Sequence, residues 1–264
     1  MEVEMNQQST NVPVVGEWGE IKYKLLEQYV GRFATGMKDK WDVRVYIDLY
    51  SGPGKVRLVE GGEIIHGSPL IALNARHPFD LYVFCDERAD NIDQLSRYCD
   101  DEYPEADTRL VVGDANDCVD ELIKQLPQPG KGNTVLALCV VDPYKIADFR
   151  FETIRRLSAR FMDFFMLIPS FMDGHRNPKT YLKEDCPKLD GFFGDREWRG
   201  DWAAAKQTNV LFGNFIFEQL AKRMAILAYE KTQLIDAELV RNVADKNQRL
   251  YHLALFSRDR KSVV

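Results

Sequence analysis

Apolar positions change their spacing several times along the chain, and each change marks an element. Over residues 18–38 they fall at Ile21, Leu25, Leu26, Tyr29, Val30 and Phe33, the spacing of an amphipathic helix. Residues 42–50, DVRVYIDLY, are β-branched and aromatic and stop at SGPG, which predicts a strand running into a glycine turn. After a loop, Ser68 and Pro69 precede LIALNA, a helix start with serine as the cap and proline in the first turn. Further strands are expected over 80–85, 108–112, 134–141 and 161–168, with helices over 88–103, 115–126 and 149–159 between them. Nearly continuous apolar strands alternating with helices indicate a parallel sheet covered on both faces. A loop-rich stretch over 170–207 breaks the rhythm. A helix over 208–230 and two strands near 238–243 and 250–257 then complete it. The pattern therefore predicts a flexible tail over 1–16 and one α/β domain over 17–264, with an insertion at about 170–207.

Composition narrows the classes. The 264 residues include 41 acidic and 35 basic side chains, a net charge of -6. That balance speaks against broad non-specific nucleic-acid binding and leaves room for a local basic groove. No run approaches the ~18 apolar residues of a membrane span. The N-terminus, MEVEMNQQSTNVPVV, lacks the basic region and apolar core of an export signal. The five cysteines (Cys85, Cys99, Cys118, Cys139, Cys186) form no CxxC pair and read as reduced thiols of a cytoplasmic protein. No His, Asp or Glu set has metal-ligand spacing, so no metal is expected.

In open parallel sheets ligands bind outside the carboxyl ends of the strands. Four predicted strand ends here carry an acidic residue or a glycine turn: Asp48 to Gly54, Asp86-Glu87, Gly113-Asp114-Ala115 and Asp142-Pro143-Tyr144. These residue types suit an adenine nucleoside with a charged tail. Gly52 and Gly54 let the backbone turn and approach a ligand. Asp48 attracts an ammonium, Asp86 accepts from ribose hydroxyls with Glu87 beside it, and Asp114 and Ala115 face the adenine edge. Tyr50, Ser51 and Ser68 complete the candidate cofactor set. A phosphate ligand is disfavoured because GxxxxGK[ST] is missing, and a dinucleotide because the turn lacks a third glycine at the needed spacing.

The series KYKLLEQYV, YIDLYSGPG, HGSPLIAL, VDPYK and GFFGDREW, in that order, resembles class I S-adenosylmethionine-dependent methyltransferases, and more specifically the three-Cys-motif partner (TcmP) family. The likeness spans about residues 17–257, with Glu20 and Tyr23 standing where the family pattern has threonine and histidine. The resemblance implies a Rossmann-like seven-stranded methyltransferase sheet, mostly parallel, with the last strand antiparallel, an N-terminal helix and a cap made by the insertion. It implies S-adenosylmethionine as cofactor and, as partner, a three-cysteine-motif protein resembling radical-SAM enzymes. Methyltransferases acting on exocyclic or amide nitrogens carry an Asp/Asn/Ser-Pro-Pro-Phe/Tyr run that accepts the amine's hydrogens and stacks the target. Asp142, Pro143 and Tyr144 are the matching catalytic candidates, with one proline missing.

Other features have plainer readings beside the functional one. His66 and His175 are candidate general bases or simply solvated loop histidines. The insertion mixes basic and aromatic residues, which suits a nucleic-acid surface. Phe192, Phe193 and Trp198 read rather as a mini-core that anchors it. The leading expectation is methyl transfer to a nucleic-acid base or to a protein amine or amide. The alternative is a non-catalytic methyltransferase fold that serves as a binding subunit of the partner protein.

Overall fold

Alternate residues of the central strands enter two different cores, which is why those strands read as unbroken apolar runs. In the computed structural model, which describes residues 12–59, 62–176, 178–229, 232–242 and 246–258, the main sheet has seven strands. They are β2 (Val43–Asp48), β5 (Leu81–Asp86), β6 (Thr108–Val112), β7 (Val135–Val141), β8 (Met162–Ile168), β9 (Glu238–Asn242) and β10 (Gln248–Phe256), preceded or interleaved by short strands β1, β3 and β4. Their order across the sheet is β6-β5-β2-β7-β8-β10-β9. The first five are parallel, and β10 runs antiparallel between β8 and β9. This is the expected Rossmann-like methyltransferase sheet, with its last strand reversed.

On one face Val45, Ile47, Val83, Cys139 and Phe164 meet helices α4 (Val119–Gln125), α5 (Phe151–Leu157) and α9 (Phe212–Ile226). On the other, Tyr46, Tyr82, Phe84, Leu138 and Phe165 meet α1 (Glu17–Met37), α2 (Ser68–Leu73) and α3 (Ala89–Glu102). Neighbouring residues of one strand thus belong to opposite faces, as a pleated strand requires. The buried stripe of α1 is Lys22, Leu26, Val30, Phe33 and Ala34, while Ile21, expected on the apolar face, is exposed. A lysine therefore occupies the first buried position of that stripe.

Several expectations are corrected. Val14–Val15 form β1, paired with β3 (Lys55–Leu58), which pairs in turn with β4 (Ile64–His66), where a tail and a loop were expected. Residues 1–11 of that tail lie outside the described residues. Two- to four-residue strands are too short to show a period. The cap of α2 is Gly67, with Ser68 already inside the helix. The helix expected from 115 begins at Val119, because Asp114 organises a turn instead: its carbonyl accepts from Asp117 and Cys118, and its side chain from the Asn116 amide.

The insertion is largely helical, with a π-helical turn at Ser170–His175 followed by α6 (Pro178–Tyr181), α7 (Lys188–Phe193) and α8 (Trp198–Ala205). Phe192, Phe193 and Trp198 are fully buried, and Phe192 meets Phe149 edge-on. Asp190 accepts from Trp198 Nε1 and pairs with Arg196 and Arg199, while Asp195 pairs with Arg223 of α9. These links fasten the insertion to the α5–α9 layer.

Gly113, where β6 leaves the sheet, has φ +150°, and a Cβ there would stand 2.4 Å from Cys118 Sγ. Gly113→Ala should destabilise the protein by about 2–3 kcal/mol, combining backbone strain with the clash. Adding Cys118→Ala should recover roughly half of that, as read by denaturant unfolding. A double variant no more stable than the single would show that the clash is not the cause.

Candidate functional site at the carboxyl edge of the sheet

The strand order reverses beside β2: β5 and β6 follow on one side, β7 and β8 on the other. Such a switch point leaves a crevice at the carboxyl ends of the two diverging strands. Asp48 ends β2, and Asp142 directly follows β7.

Asp48 is fully buried. Its carboxylate accepts from the Tyr50 amide at 3.2 Å, from the Tyr46 hydroxyl at 3.5 Å and from the Ser68 hydroxyl. Burial pushes its pKa up to about 7, helped by the Asp142 charge and opposed by Ser68, Tyr50 and Lys22. The Ser51 hydroxyl behind it is buried without a hydrogen-bond partner. Gly52 has φ +62° and open space where a Cβ would stand. Gly54, at φ +94°, instead faces Tyr98 and Leu95 of α3, so its lack of a side chain serves packing.

Asp86 locks two turns together. One oxygen accepts from the Gly52 amide at 2.8 Å, and the other from the Arg88 amide and the Asn91 side chain. Asp114 accepts from both nitrogens of Asn116, whose amide also donates to the Asp148 carbonyl. The Asn116 side-chain oxygen accepts in turn from the Arg150 amide and Thr153 Oγ1. Tyr50 donates its hydroxyl to the same Asp148 carbonyl at 2.7 Å. Asn116 is thus the brace of this wall, and the run GDAND offered a signal for it: an amide two residues past the aspartate, placed to close an Asx turn.

These turns enclose a cleft of about 270 Å³. Tyr50, Asp86, Glu87, Asp114, Ala115, Asp142 and Tyr144 line it, together with Arg88, Asn91 and Asp148. Five of its lining residues are carboxylates and one is a guanidinium, so the cleft favours a cationic ligand. Asp48, Ser51, Gly52, Gly54, Ser68 and Pro143 are not among its lining residues. None of the described residues of the insertion lines it. The ring of Tyr144 is 70% exposed at its mouth.

On the other side of Asp142, Lys22 Nζ lies 2.5 Å from Oδ2. Both side chains are largely buried, at 11% and 19% exposure. Burial alone would lower the lysine pKa, but Asp142 and Tyr23 more than offset it, and the net direction is upward. The ammonium therefore stays charged. The sequence reading passed over Lys22, although its register with Leu26 and Val30 was visible.

A larger groove, of about 720 Å³, opens between α1, β4 and α2. It is lined by solvated side chains such as Glu27, Glu63 and Arg76 and contains none of the strand-end aspartates, so the smaller cleft is the stronger candidate. His66 lines that groove, 3.4 Å from the Asn74 amide, and His175 lies tilted against Phe171, its pKa lowered by burial. Neither histidine lines the strand-end cleft. Among the described residues, no group of three His, Cys, Asp or Glu side chains could hold a metal ion, and no helix is long and apolar enough to cross a membrane.

No protein-family model and no curated protein matches the chain. Among solved structures it is similar to cofactor-bound Rv0187 from MTB, with 14% identity, a TM-score of 0.43, and 90% of this chain and 81% of that one covered. It is also similar to geranyl diphosphate methyltransferase in complex with SAM, with 11% identity, a TM-score of 0.36, and 92% and 89% covered. A third is the cyclopropane synthase MmaA2 from Mycobacterium tuberculosis, with 10% identity, a TM-score of 0.39, and 84% and 64% covered. The fold assignment rests on the strand order of the chain itself.

The buried Asp48 makes stability depend on pH. Its folded pKa of about 7 lies above the ordinary 3.8, so the folded state holds this proton more tightly than the unfolded chain. The resulting stabilisation is full below the ordinary value and is lost as pH rises towards 7. Asp48→Asn does not titrate. Its stability relative to the native chain should therefore rise between pH 5 and pH 8, by up to about 3 kcal/mol. Paired thermal melts at the two pH values check this, and a constant difference would remove Asp48 as the titrating group.

Proposed function

We propose that the chain is an S-adenosylmethionine-dependent methyltransferase of the three-Cys-motif partner type, acting on a protein amine or amide. One observation carries the reading: an acidic cleft at the switch point of a methyltransferase sheet, walled by the turns after β2, β5, β6 and β7. The residues fit the cofactor. Asp114 and Ala115 suit the adenine edge, Asp86 and Glu87 the ribose hydroxyls, and the turn 50–54 with Asp48 behind it the cationic amino-acid end. Gly52 leaves room for close approach, and the orphaned Ser51 hydroxyl is free to accept a partner.

Bound in this way, the cofactor supplies an electrophilic methyl group. The protein's share is positioning. Asp142 accepts the hydrogens of the acceptor nitrogen, and Tyr144, exposed at the mouth, offers a flat surface to the acceptor. For the acceptor, the insertion matters by what it withholds. Its aromatic residues Phe171, Tyr181, Phe192, Phe193 and Trp198 are buried, and the half-buried Trp202 packs on Phe212 and Phe215, so the insertion offers bases no free stacking platform. That favours a protein acceptor over a nucleic-acid base.

A second reading draws on the Lys22–Asp142 pair: a carboxylate already engaged suits a non-catalytic subunit that binds a radical-SAM-like partner. In that case Asp142→Ala leaves the activity of the complex intact.

Isothermal titration with S-adenosylhomocysteine tests the first reading. Binding well below millimolar is expected, weakened about tenfold by Asp114→Ala through loss of one hydrogen bond. Affinity should rise from pH 6 to pH 8 as Asp48 ionises, and Asp48→Asn should flatten that rise. No binding by folded protein would overturn the proposal.

A further inference from the structure

The last hairpin of the sheet carries a group of cations that the cleft does not use. Arg241 of β9 and Arg249 of β10 stand directly opposite each other across the antiparallel pair. Opposed residues share one face of the sheet, and like charges there repel. Both side chains are half-buried, and Arg249 Cζ lies 5.5 Å from the centre of the Phe171 ring, on the turn Ser170–His175. Arg176, exposed at the end of that turn, donates to Gln248 Oε1 at 2.6 Å. His175 beside it has its Nδ1 buried without a hydrogen-bond partner among the described residues. Among the described residues no carboxylate pairs with Arg176, Arg241 or Arg249. Residues 239–250 hold three cations, Arg241, Lys246 and Arg249, against one acid, Asp245. The hairpin is thus a positive surface on a chain of net charge -6.

The same turn reaches the cleft. Asp173, two residues before His175, accepts from the Ile146 amide at 2.9 Å and from the Tyr181 hydroxyl. Ile146 belongs to the loop whose Asp142, Tyr144, Ala147 and Asp148 line the cleft. In β10, His252 is opposite Ile168, the last residue of β8, so Gln248 and Arg249 overhang the carboxyl edge on which the cleft opens.

We propose that Arg176, Arg241 and Arg249 dock an acidic segment of the protein acceptor, beside the residue that is methylated. The inference rests on the methyltransferase reading and deepens it by naming the chemistry of the acceptor: carboxylates flanking the target. Planar guanidinium groups hold carboxylates through two parallel hydrogen bonds. A carboxylate laid between Arg241 and Arg249 would also relieve their mutual repulsion. Three cations match a short acidic run better than a nucleic acid. The net charge of -6 and the carboxylates of the adjoining cleft repel a long polyanion, and Phe171 is buried under Arg249 rather than free to stack a base.

Fluorescence anisotropy with a labelled hexaglutamate peptide tests this. The native chain should bind it at low salt and more weakly at about 0.15 M sodium chloride. Arg241→Gln/Arg249→Gln should weaken binding about tenfold. Arg109→Gln/Lys131→Gln removes the same charge from exposed positions away from the hairpin and should leave binding nearly unchanged. Should the hairpin variant fail to fold, Arg176→Gln against Arg109→Gln repeats the comparison at exposed positions. No binding by the native chain, or equal weakening in both variants of a pair, would overturn the assignment. An oligothymidylate of equal charge that binds more tightly than the peptide, through the same arginines, would overturn it in favour of a nucleic acid. The same proteins are titrated with S-adenosylhomocysteine, which the hairpin variant should bind as the native chain does. If the native chain binds S-adenosylhomocysteine and not the peptide, the docking surface alone falls. If no protein binds S-adenosylhomocysteine, the methyltransferase reading falls and takes the acceptor assignment with it.

Discussion

A parallel sheet covered on both faces confines polar side chains to its strand ends, and the rest of this structure depends on that constraint. An unpaired polar group in the middle of β7 or β2 would meet a core on either side and lose its water for nothing. The polar groups of these strands accordingly sit at the two edges. At the amino edge Arg44 gives its guanidinium to the carbonyls of Ala34 and Pro78, and Asp163 accepts from Ser257 and from the backbone of Arg258. Those groups are held by neighbouring backbone and side chains, with Asp163 Oδ1 left buried and without a hydrogen-bond partner. At the carboxyl edge Asp86, Asp114 and Asp142 line an open cleft, and the Ser51 hydroxyl is buried without a partner.

That concentration of like charge has its own cost. Burial disfavours the ionisation of Asp48, and the Asp142 charge adds to the effect. The chain relieves it in two ways. Asp48 holds its proton up to about neutral pH, and Lys22 supplies a cation to Asp142. A cationic ligand entering the cleft would relieve it further, so the site is electrostatically incomplete without one. Asp86 and Asp114 meet the same difficulty differently, with backbone and asparagine amides in place of a cation.

How much of this was legible in the sequence depended on how many residues carried each signal. The central strands and α1, α3 and α9 show long apolar periods, and their types and order along the chain could be read directly, whereas the reversed last strand was implied by the family resemblance. The strand-end aspartates could be found because they follow apolar runs immediately. The hairpin of β3 and β4 has too few residues to show a period, and the insertion looked like a loop because its helices are of four to eight residues. Long-range pairing was the larger gap. Lys22 and Asp142 are separated by 120 positions, and nothing local distinguishes a lysine that snorkels to water from one that meets a buried carboxylate. Its register with Leu26 and Val30 placed it on the buried stripe and said nothing of its partner.

Stability alone is a poor account of that pair. Replacing a buried ion pair by apolar residues of similar size is often neutral or stabilising, because desolvation consumes most of the Coulomb gain. Position 22 lies on an apolar stripe where such a replacement would fit, and the neighbouring Leu26, Phe165 and Leu253 are already apolar. Asp142, however, cannot become apolar without removing a wall of the cleft. Once that carboxylate is kept for the cleft, its inner oxygen needs a partner in a place that water barely reaches. A lysine on the first turns of α1 is long enough to supply one while its stem fills the core. The charge on the helix thus follows from the carboxylate on the strand.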